Sequence, residues 1–302
     1  MLSNTKPIFE FAKQKNIAVC AFNVSNLETM QAVVESAIKL NTPIIISASE
    51  SAIKYAGLDN LVSIAKNLTR NTSFPIALHL DHGKSFEICK ECIKAGFTSV
   101  MIDGSSLPFD ENVKLTKKVV DFAHKHNITV EAELGKIMGV EDNVSSVNSI
   151  LTDPFEAKQF VNLTNCDSLA ISIGTAHGIN KGIKQPKIYY NTISNVSNAL
   201  GNNYPLVAHG SSSVPQEFVT TINKNGGCIT KSQGISKQDL IKMSKTAICK
   251  INIDTDLRLA FTSGLREYLN NNKDQFDPRK ILGYAKDKVK NYVEETIKML
   301  SM

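Results

Sequence analysis

Three histidines in this chain are each followed directly by glycine: His82-Gly83, His177-Gly178 and His209-Gly210. Each pair closes a short apolar run, in Leu78-His79-Leu80-Asp81-His82, Gly174-Thr175-Ala176-His177 and Val207-Ala208-His209. Three imidazoles converging from separate strands can bind a metal ion and leave a coordination position open, the layout of a catalytic zinc site. A glycine beside each lets the backbone pass close to a bound ligand. One such histidine alone is more simply a satisfied residue at a strand end; three in the same context favour the metal. His79 is either a partner behind the site or plain core. His124 and His126 sit at a helix end and read as surface.

Asp81 stands next to a candidate ligand. Adjacent strand residues point to opposite faces, so Asp81 and His82 meet at one point only if the chain turns there, and Gly83 allows a turn. An Asp81 that reaches the site can act as a general acid/base; the same spacing equally fits an aspartate capping a helix. The segments Gly178–Lys181 and Gly210–Ser213 offer free backbone N–H groups and hydroxyls that suit a phosphate. In the last apolar run Lys250, Asn252 and Asp254 share one parity and Ile251 and Ile253 the other. Such a polar face either lines a site or meets solvent. Lys250 also raises a metal-free alternative, Schiff-base chemistry, which leaves the three histidines without a role. Cys89-x-x-Cys92 is half of a zinc pair, but it falls in a helical pattern with no second pair and reads as packing.

The elements that must position these residues are legible as eight apolar runs: Ala18–Val24, Pro43–Ser49, Pro75–His82, Ser99–Gly104, Ile128–Gly135, Ser168–Gly174, Pro205–Ser211 and Ile248–Thr255. They are rich in Ile, Val and Ala and lack strict alternation, as strands buried on both faces do. Helical patterns lie between them. Asp153-Pro154-Phe155-Glu156 supplies an N-cap, a proline at the first position and a glutamate at the third. Ser236-Lys237-Gln238-Asp239 is a similar start, and Gly96 is a suitable stop after Cys89–Ala95. Eight strand–helix units predict an α/β fold, a TIM (β/α)8 barrel spanning 1–302 as one domain. A doubly wound open sheet usually places a glycine-rich loop after its first strand; here Phe22-Asn23-Val24-Ser25-Asn26 has no glycine. In a barrel the polar strand ends gather at the C-terminal face, where such enzymes carry their sites.

Composition excludes several classes. The charge of +5, from 34 basic and 29 acidic residues, is spread along the chain with no basic block, which argues against nucleic acid. No stretch approaches the ~20 apolar residues of a membrane span, and the N-terminus lacks a signal-type apolar run. The six cysteines lie within predicted elements, which fits a reducing cytoplasm.

Taken in order, Ala21-Phe22-Asn23-Val24, Leu78–Gly83, Glu131-Ala132-Glu133-Leu134-Gly135, Gly174–Gly178, Val207–Ser212 and Lys250–Thr255 resemble the class II fructose-bisphosphate aldolase family. The resemblance covers nearly the whole chain. It implies reversible cleavage of fructose 1,6-bisphosphate to dihydroxyacetone phosphate and glyceraldehyde 3-phosphate, with one catalytic zinc stabilising the enediolate. His82, His177 and His209 match the family's zinc ligands, and Asp81 its acid/base. Asp103 and Glu133 match a second, buried metal position of some members; a second metal or a monovalent cation is thus implied. Gly178, Lys181, Gly210, Ser211 and Ser212 match the dihydroxyacetone phosphate loops, and Asn252, Ile253, Asp254 and Thr255 the substrate segment of the eighth strand. Asn23 and Ser49 match positions lining the sugar site. Glu141, in a segment resembling the mobile acidic loop, is the candidate for the proton on the ketose phosphate carbon; Met138 departs from the glycine usual there. Arg258 and Arg279 could meet the second phosphate, Arg279 from a neighbouring subunit of a homodimer or homotetramer; the plainer reading of each is a surface ion pair. Asp254 favours the fructose form over the tagatose-bisphosphate aldolases of the same family, which tend to carry a small residue there. A zinc hydrolase on the same barrel would not need the glycine–serine loops, and a barrel kept only for binding or adhesion would not need its ligands intact.

Overall fold

A computed structural model describes residues 2–141, 144–146, 150–179, 185–230 and 233–301, of which 138, 140, 141 and 144–146 are described by their backbone. Eight strands close into a parallel barrel: β1 (Val19–Asn23), β2 (Ile44–Ser49), β3 (Ile76–Gly83), β4 (Ser99–Ile102), β5 (Thr129–Leu134), β6 (Ser168–Ile171), β7 (Leu206–Ala208) and β8 (Ile248–Ile253). Each strand pairs in parallel with its neighbours, and β1 closes onto β8 through Val19 opposite Lys250 and Ala21 opposite Asn252. Seven lie within the predicted runs, β3 extends one residue past its run to Gly83, and the fold is the expected TIM barrel.

Both faces of each strand are buried for different reasons. Ile44, Ile46, Leu78, Leu80, Val100, Ile102, Val130 and Ala132 point outward into one continuous apolar layer shared with the surrounding helices. The inward residues change character along the barrel axis. At the N-terminal end Val19, Ala21, Ile45 and Ala77 pack against Ile8, Phe9 and Ala12 of the helix Lys6–Lys15, which plugs that end. Met101, Ala170 and Val207 form a small layer within the barrel. Further along, the inward positions turn polar: Ser47 is level with His79, and His79 with Ser99. This gradient gives the barrel a dry floor and a reactive mouth.

The helix signals hold in detail. Asp153 accepts from the Phe155 and Glu156 N–H groups at 2.8 and 3.0 Å to start Pro154–Thr164. Ser236 caps Lys237–Ser244, and Gly96 ends Phe86–Ala95 at φ +117. One expectation needs correction. The sixth run, Ser168–Gly174, does not lead straight from its strand into His177. Strand β6 ends at Ile171, and Ala176–His177 belongs to a separate small sheet, parallel to Met138–Glu141, which pairs antiparallel with Val144–Ser146. The cysteines are free, with Cys89 and Cys92 wholly buried in the packed face of their helix, and burial pushes the Cys92 thiol up to about 12. No helix among the described residues is long and apolar enough to cross a membrane.

Candidate active site

The turn needed at Asp81 is present, but Gly83 does not make it. His82 itself takes a left-handed backbone, φ +48, while β3 runs on through Gly83 with a register shift against β4. A histidine rarely adopts this conformation, so its occurrence here marks a constrained site. The kink lets Asp81 and His82 serve the same space. Asp81 caps no helix; Ser85 caps the one that follows.

Both Asp81 oxygens are held by amides: Asn23 Nδ2 donates to Oδ2 at 2.7 Å and Asn252 Nδ2 to Oδ1 at 2.9 Å. Burial works against the Asp81 charge, but His82, then His209 and Lys250, hold its carboxyl well below the ordinary range. It is therefore a carboxylate at neutral pH. The Oδ1 atoms of both asparagines are buried without a hydrogen-bond partner, as expected where a ligand completes the set.

The three imidazoles converge. The His82 ring centroid lies 4.5 Å from that of His209 and 5.1 Å from that of His177, and those two are 6.2 Å apart. Donor atoms of Asp81, His82 and His209 lie within 4.8 Å of one another. His177 stands slightly further out, on its small sheet. Two glycines fix its backbone. A Cβ on Gly139 (φ +110) would come within 2.4 Å of the His177 carbonyl oxygen, and one on Gly210 (φ +62) within 2.8 Å of the Ala176 carbonyl carbon. Glycine is required at both.

Two of the rings are held from behind by a carboxylate. His209 Nε2 lies 2.8 Å from Glu131 Oε1, which turns Nδ1 toward the mouth, where it accepts from Asn252 Nδ2 at 3.2 Å. His82 Nδ1 lies 3.0 Å from Asp103 Oδ2 and 3.9 Å from Glu133 Oε2, which leaves Nε2. A carboxylate behind a metal-binding histidine fixes its tautomer and orientation. Burial, then the His82 charge, push His209 down to about 4, so it is neutral, the form that binds metals. Burial also pushes His82 down, but Asp81, Asp103 and Glu133 carry it up to about 10. Asp81 and Asp103, both held well below the ordinary range, favour any cation beside that ring.

Lys250 does not meet solvent. It is wholly buried, and its Nζ lies 2.8 and 3.0 Å from the two Glu131 oxygens and 3.3 Å from His79 Nε2. His79 Nδ1 in turn meets Ser99 Oγ at 2.9 Å. The polar parity of β8 thus continues below the mouth as an interior ion pair, and His79 proves to be a partner behind the site. His124 meets Asp167 at 2.9 Å on the far, exposed side.

Asp103 and Glu133 gather behind His82 as the second-metal expectation required, with donor atoms of the three within 4.8 Å of one another. Burial, then Asp103, push the Glu133 carboxyl up to about 8. Ser211 and Ser212 are buried, and Ser212 Oγ accepts from the Asp254 N–H at 3.3 Å, which ties the loop after β7 to the end of β8. Gly178 has φ +72 and lies in the segment after His177. Thr255 opens the helix Thr255–Asn271. Ile253 is different: its side chain sits in the apolar layer between barrel and helices, so only its backbone is left for a ligand. A cavity of about 380 Å³ beside Asp81's partners is lined by Asn23, Ser49, Tyr55, Asp254, Arg258 and Phe261. Arg258 makes a two-pronged pair with Asp254 (2.8 and 2.7 Å). Arg279 pairs with Asp277 at 2.9 Å, and its side chain is 89 % exposed. Lys181 and the Glu141 and Met138 side chains lie outside the described residues.

Three residues escaped the sequence reading. Glu131 was visible only as part of a motif. Lys84 reaches Asp103 at 2.6 Å. Asp256 accepts from Ser213 N and Oγ, Val214 N and the Tyr292 hydroxyl, and so shapes the loop at Val214, a β-branched residue at φ +52. A charged residue in a wholly buried position was the available signal for Asp256, but burial is not written in local sequence.

Residues 3–302 match the family described as fructose-bisphosphate aldolase class-II. The fructose-bisphosphate aldolases of Treponema pallidum and Helicobacter pylori (strain 26695) are each 42 % identical to this chain, over 96 % of it and 92 % of the former, and 99 % of it and 98 % of the latter. The crystal structure of the YdjI aldolase from Escherichia coli K12 superimposes with a TM-score of 0.80 at 30 % identity, covering 99 % of this chain and 97 % of that one. With the barrel, the converging histidines and these likenesses together, the chain belongs to the class-II fructose-bisphosphate aldolase family.

Proposed function

We propose that this lyase reversibly cleaves fructose 1,6-bisphosphate into dihydroxyacetone phosphate and glyceraldehyde 3-phosphate, with zinc held by His82, His177 and His209. The observation that carries the reading is the convergence of three imidazoles beside an Asp81 carboxylate clamped by two amides. The donor set suits zinc: His82 and His209 are each held from behind with the other ring nitrogen turned toward the mouth, the Asp81 and Asp103 carboxylates flank His82, and unpartnered amide oxygens stand nearby. When bound, zinc supplies Lewis acidity at the ketose carbonyl and draws off the charge that develops as the carbon–carbon bond breaks.

Asp81 takes the C4 hydroxyl proton on cleavage and returns it on condensation. Asn23 and Asn252 hold both of its oxygens, so the base is aimed before substrate arrives. Gly178, Lys181, Gly210, Ser211 and Ser212, with Asn252 to Thr255, bind the dihydroxyacetone phosphate end. The cavity at Asn23, Ser49 and Arg258 takes the other end, with Arg279 reaching in from a neighbouring subunit of a homo-oligomer. Glu141 exchanges the proton on the ketose phosphate carbon. The relatives' names support fructose over tagatose bisphosphate, and the free cysteines fit a reducing cytoplasm.

Cleavage of fructose 1,6-bisphosphate is measured before and after long incubation in excess chelator, then after zinc is restored. Activity should vanish and return. Full activity in chelator would overturn the metal reading, and borohydride trapping of substrate on Lys250 would establish the Schiff-base rival. Asp81→Ala should keep its zinc and lose about 10²–10⁴-fold in kcat; normal turnover would remove Asp81 from the chemistry.

A further inference from the structure

The carboxylate pocket behind His82 already holds a cation. Lys84 Nζ lies 2.6 Å from Asp103 Oδ2, and the Lys84 N–H donates to Glu50 Oε1 at 2.7 Å, which anchors the lysine backbone at the pocket's edge. Asp103 is wholly enclosed, and donors meet both of its oxygens. Oδ2 takes the Lys84 ammonium and His82 Nδ1; Oδ1 takes the Ser105 N–H at 3.1 Å and the Ser105 hydroxyl at 2.7 Å. Four donors leave no open lone pair for a metal ion. Glu133 Oε2 is buried without a hydrogen-bond partner, 3.9 Å from His82 Nδ1, so the pocket retains one oxygen that nothing answers.

We infer that the Lys84 ammonium stands in for a second metal ion at Asp103 and Glu133, so that each chain retains a single divalent ion, on the His177 and His209 side of His82. The inference rests on the metal reading proposed above. A tethered cation has a standing advantage over a free one. It loses no translational freedom on binding, and it is present at a fixed high effective concentration. A divalent ion entering the pocket would have to displace it, shed water and accept a like charge nearby. Lys84 is one-third exposed, whereas Asp103 is not exposed at all. The ammonium can therefore swing out to solvent, which makes the pocket exchangeable in principle and the lysine its gate. The consequence for the reaction is positional. With the rear pocket filled, a metal shared by His82 has one place to sit, next to Asp81, instead of two.

The test counts metal. The purified full chain is stripped, loaded with excess cobalt(II), passed through a desalting column, and its cobalt measured per chain together with its visible absorption spectrum. Wild type should retain one equivalent. Lys84→Met should retain two, with a second absorption component from an oxygen-rich site. Lys84→Arg, which keeps the charge, should return to one. Adding Glu133→Gln to Lys84→Met should remove the second equivalent, and this double variant guards against a gain caused by misfolding. Two equivalents in wild type, or one in Lys84→Met, overturns the role of Lys84 while leaving the catalytic metal intact. No retained cobalt in wild type overturns the metal reading itself, and the inference with it.

Discussion

Two clusters of the same make-up, a lysine, a carboxylate and one of the converging histidines, sit in this barrel at different depths. In the inner cluster Lys250 and Glu131 are 0 % and 2 % exposed, and Glu131 supports His209. In the outer one Lys84 is 33 % exposed beside an enclosed Asp103 that supports His82. The difference teaches what each lysine can be for. Lys250 cannot exchange its partner for water, so removing it strands a buried carboxylate and the histidine behind it. Lys84 can swing to solvent, so its absence can be made good by water or by another cation. Depth turns the same three groups into a permanent brace in one case and a replaceable plug in the other.

The sharpest way to break this comparison is to delete each lysine. Lys250→Met should cost about 3–5 kcal/mol in urea unfolding of the metal-free protein, the penalty for an uncompensated buried charge. A loss below one kcal/mol, on the order of a surface pair, would make the two clusters equivalent and the brace imaginary. Adding Glu131→Gln to Lys250→Met should recover part of the loss.

A second way tests the brace through its histidine. Glu131→Gln removes the charge that holds His209 with Nε2 engaged and Nδ1 toward the mouth. Zinc affinity, read by competition with a chromophoric chelator, should fall about 10–100-fold. An unchanged affinity would leave Glu131 as a partner of Lys250 alone.

Acid sharpens the comparison further. Burial, then the Lys250 charge, push His79 down to about 3 from an ordinary 6.5. Unfolded His79 gains a proton below 6.5 while folded His79 stays neutral, so its contribution is whole above 6.5 and is lost as pH falls toward 3. His79→Gln should flatten the fall in Tm over that window; an unaltered slope would clear His79 of the effect. The smallest change is expected at Lys84→Met, below about 1 kcal/mol in the same urea experiment, because the lost pair is partly exposed. A loss as large as that of Lys250→Met would show that Lys84 is as fixed as its inner counterpart.

Much of the site was legible in order along the chain, because its chemistry is carried by residue types that strands otherwise avoid. Glycine after each histidine, carboxylates at strand ends and the asparagine–aspartate segment of β8 all stand out against apolar runs. The eight runs were readable because a strand buried on both faces has little choice but Ile, Val and Ala. The position of His177 was less so. The chain leaves β6 at Ile171 and reaches His177 through a small separate sheet, and short pairings of this kind leave little pattern in sequence.

The sequence by itself determined the strand order, the helix caps, the three His-Gly pairs and the polar parity of Lys250, Asn252 and Asp254. Each is a local property, set within a few residues by side-chain size, charge and spacing. Only the tertiary structure decided that His82, not Gly83, carries the turn that brings Asp81 into the mouth, that Lys250 pairs inward with a residue 119 positions away, and that Lys84 closes the pocket behind His82. These outcomes depend on how the barrel closes in register and on one backbone angle, and neither is a property of any short stretch of chain.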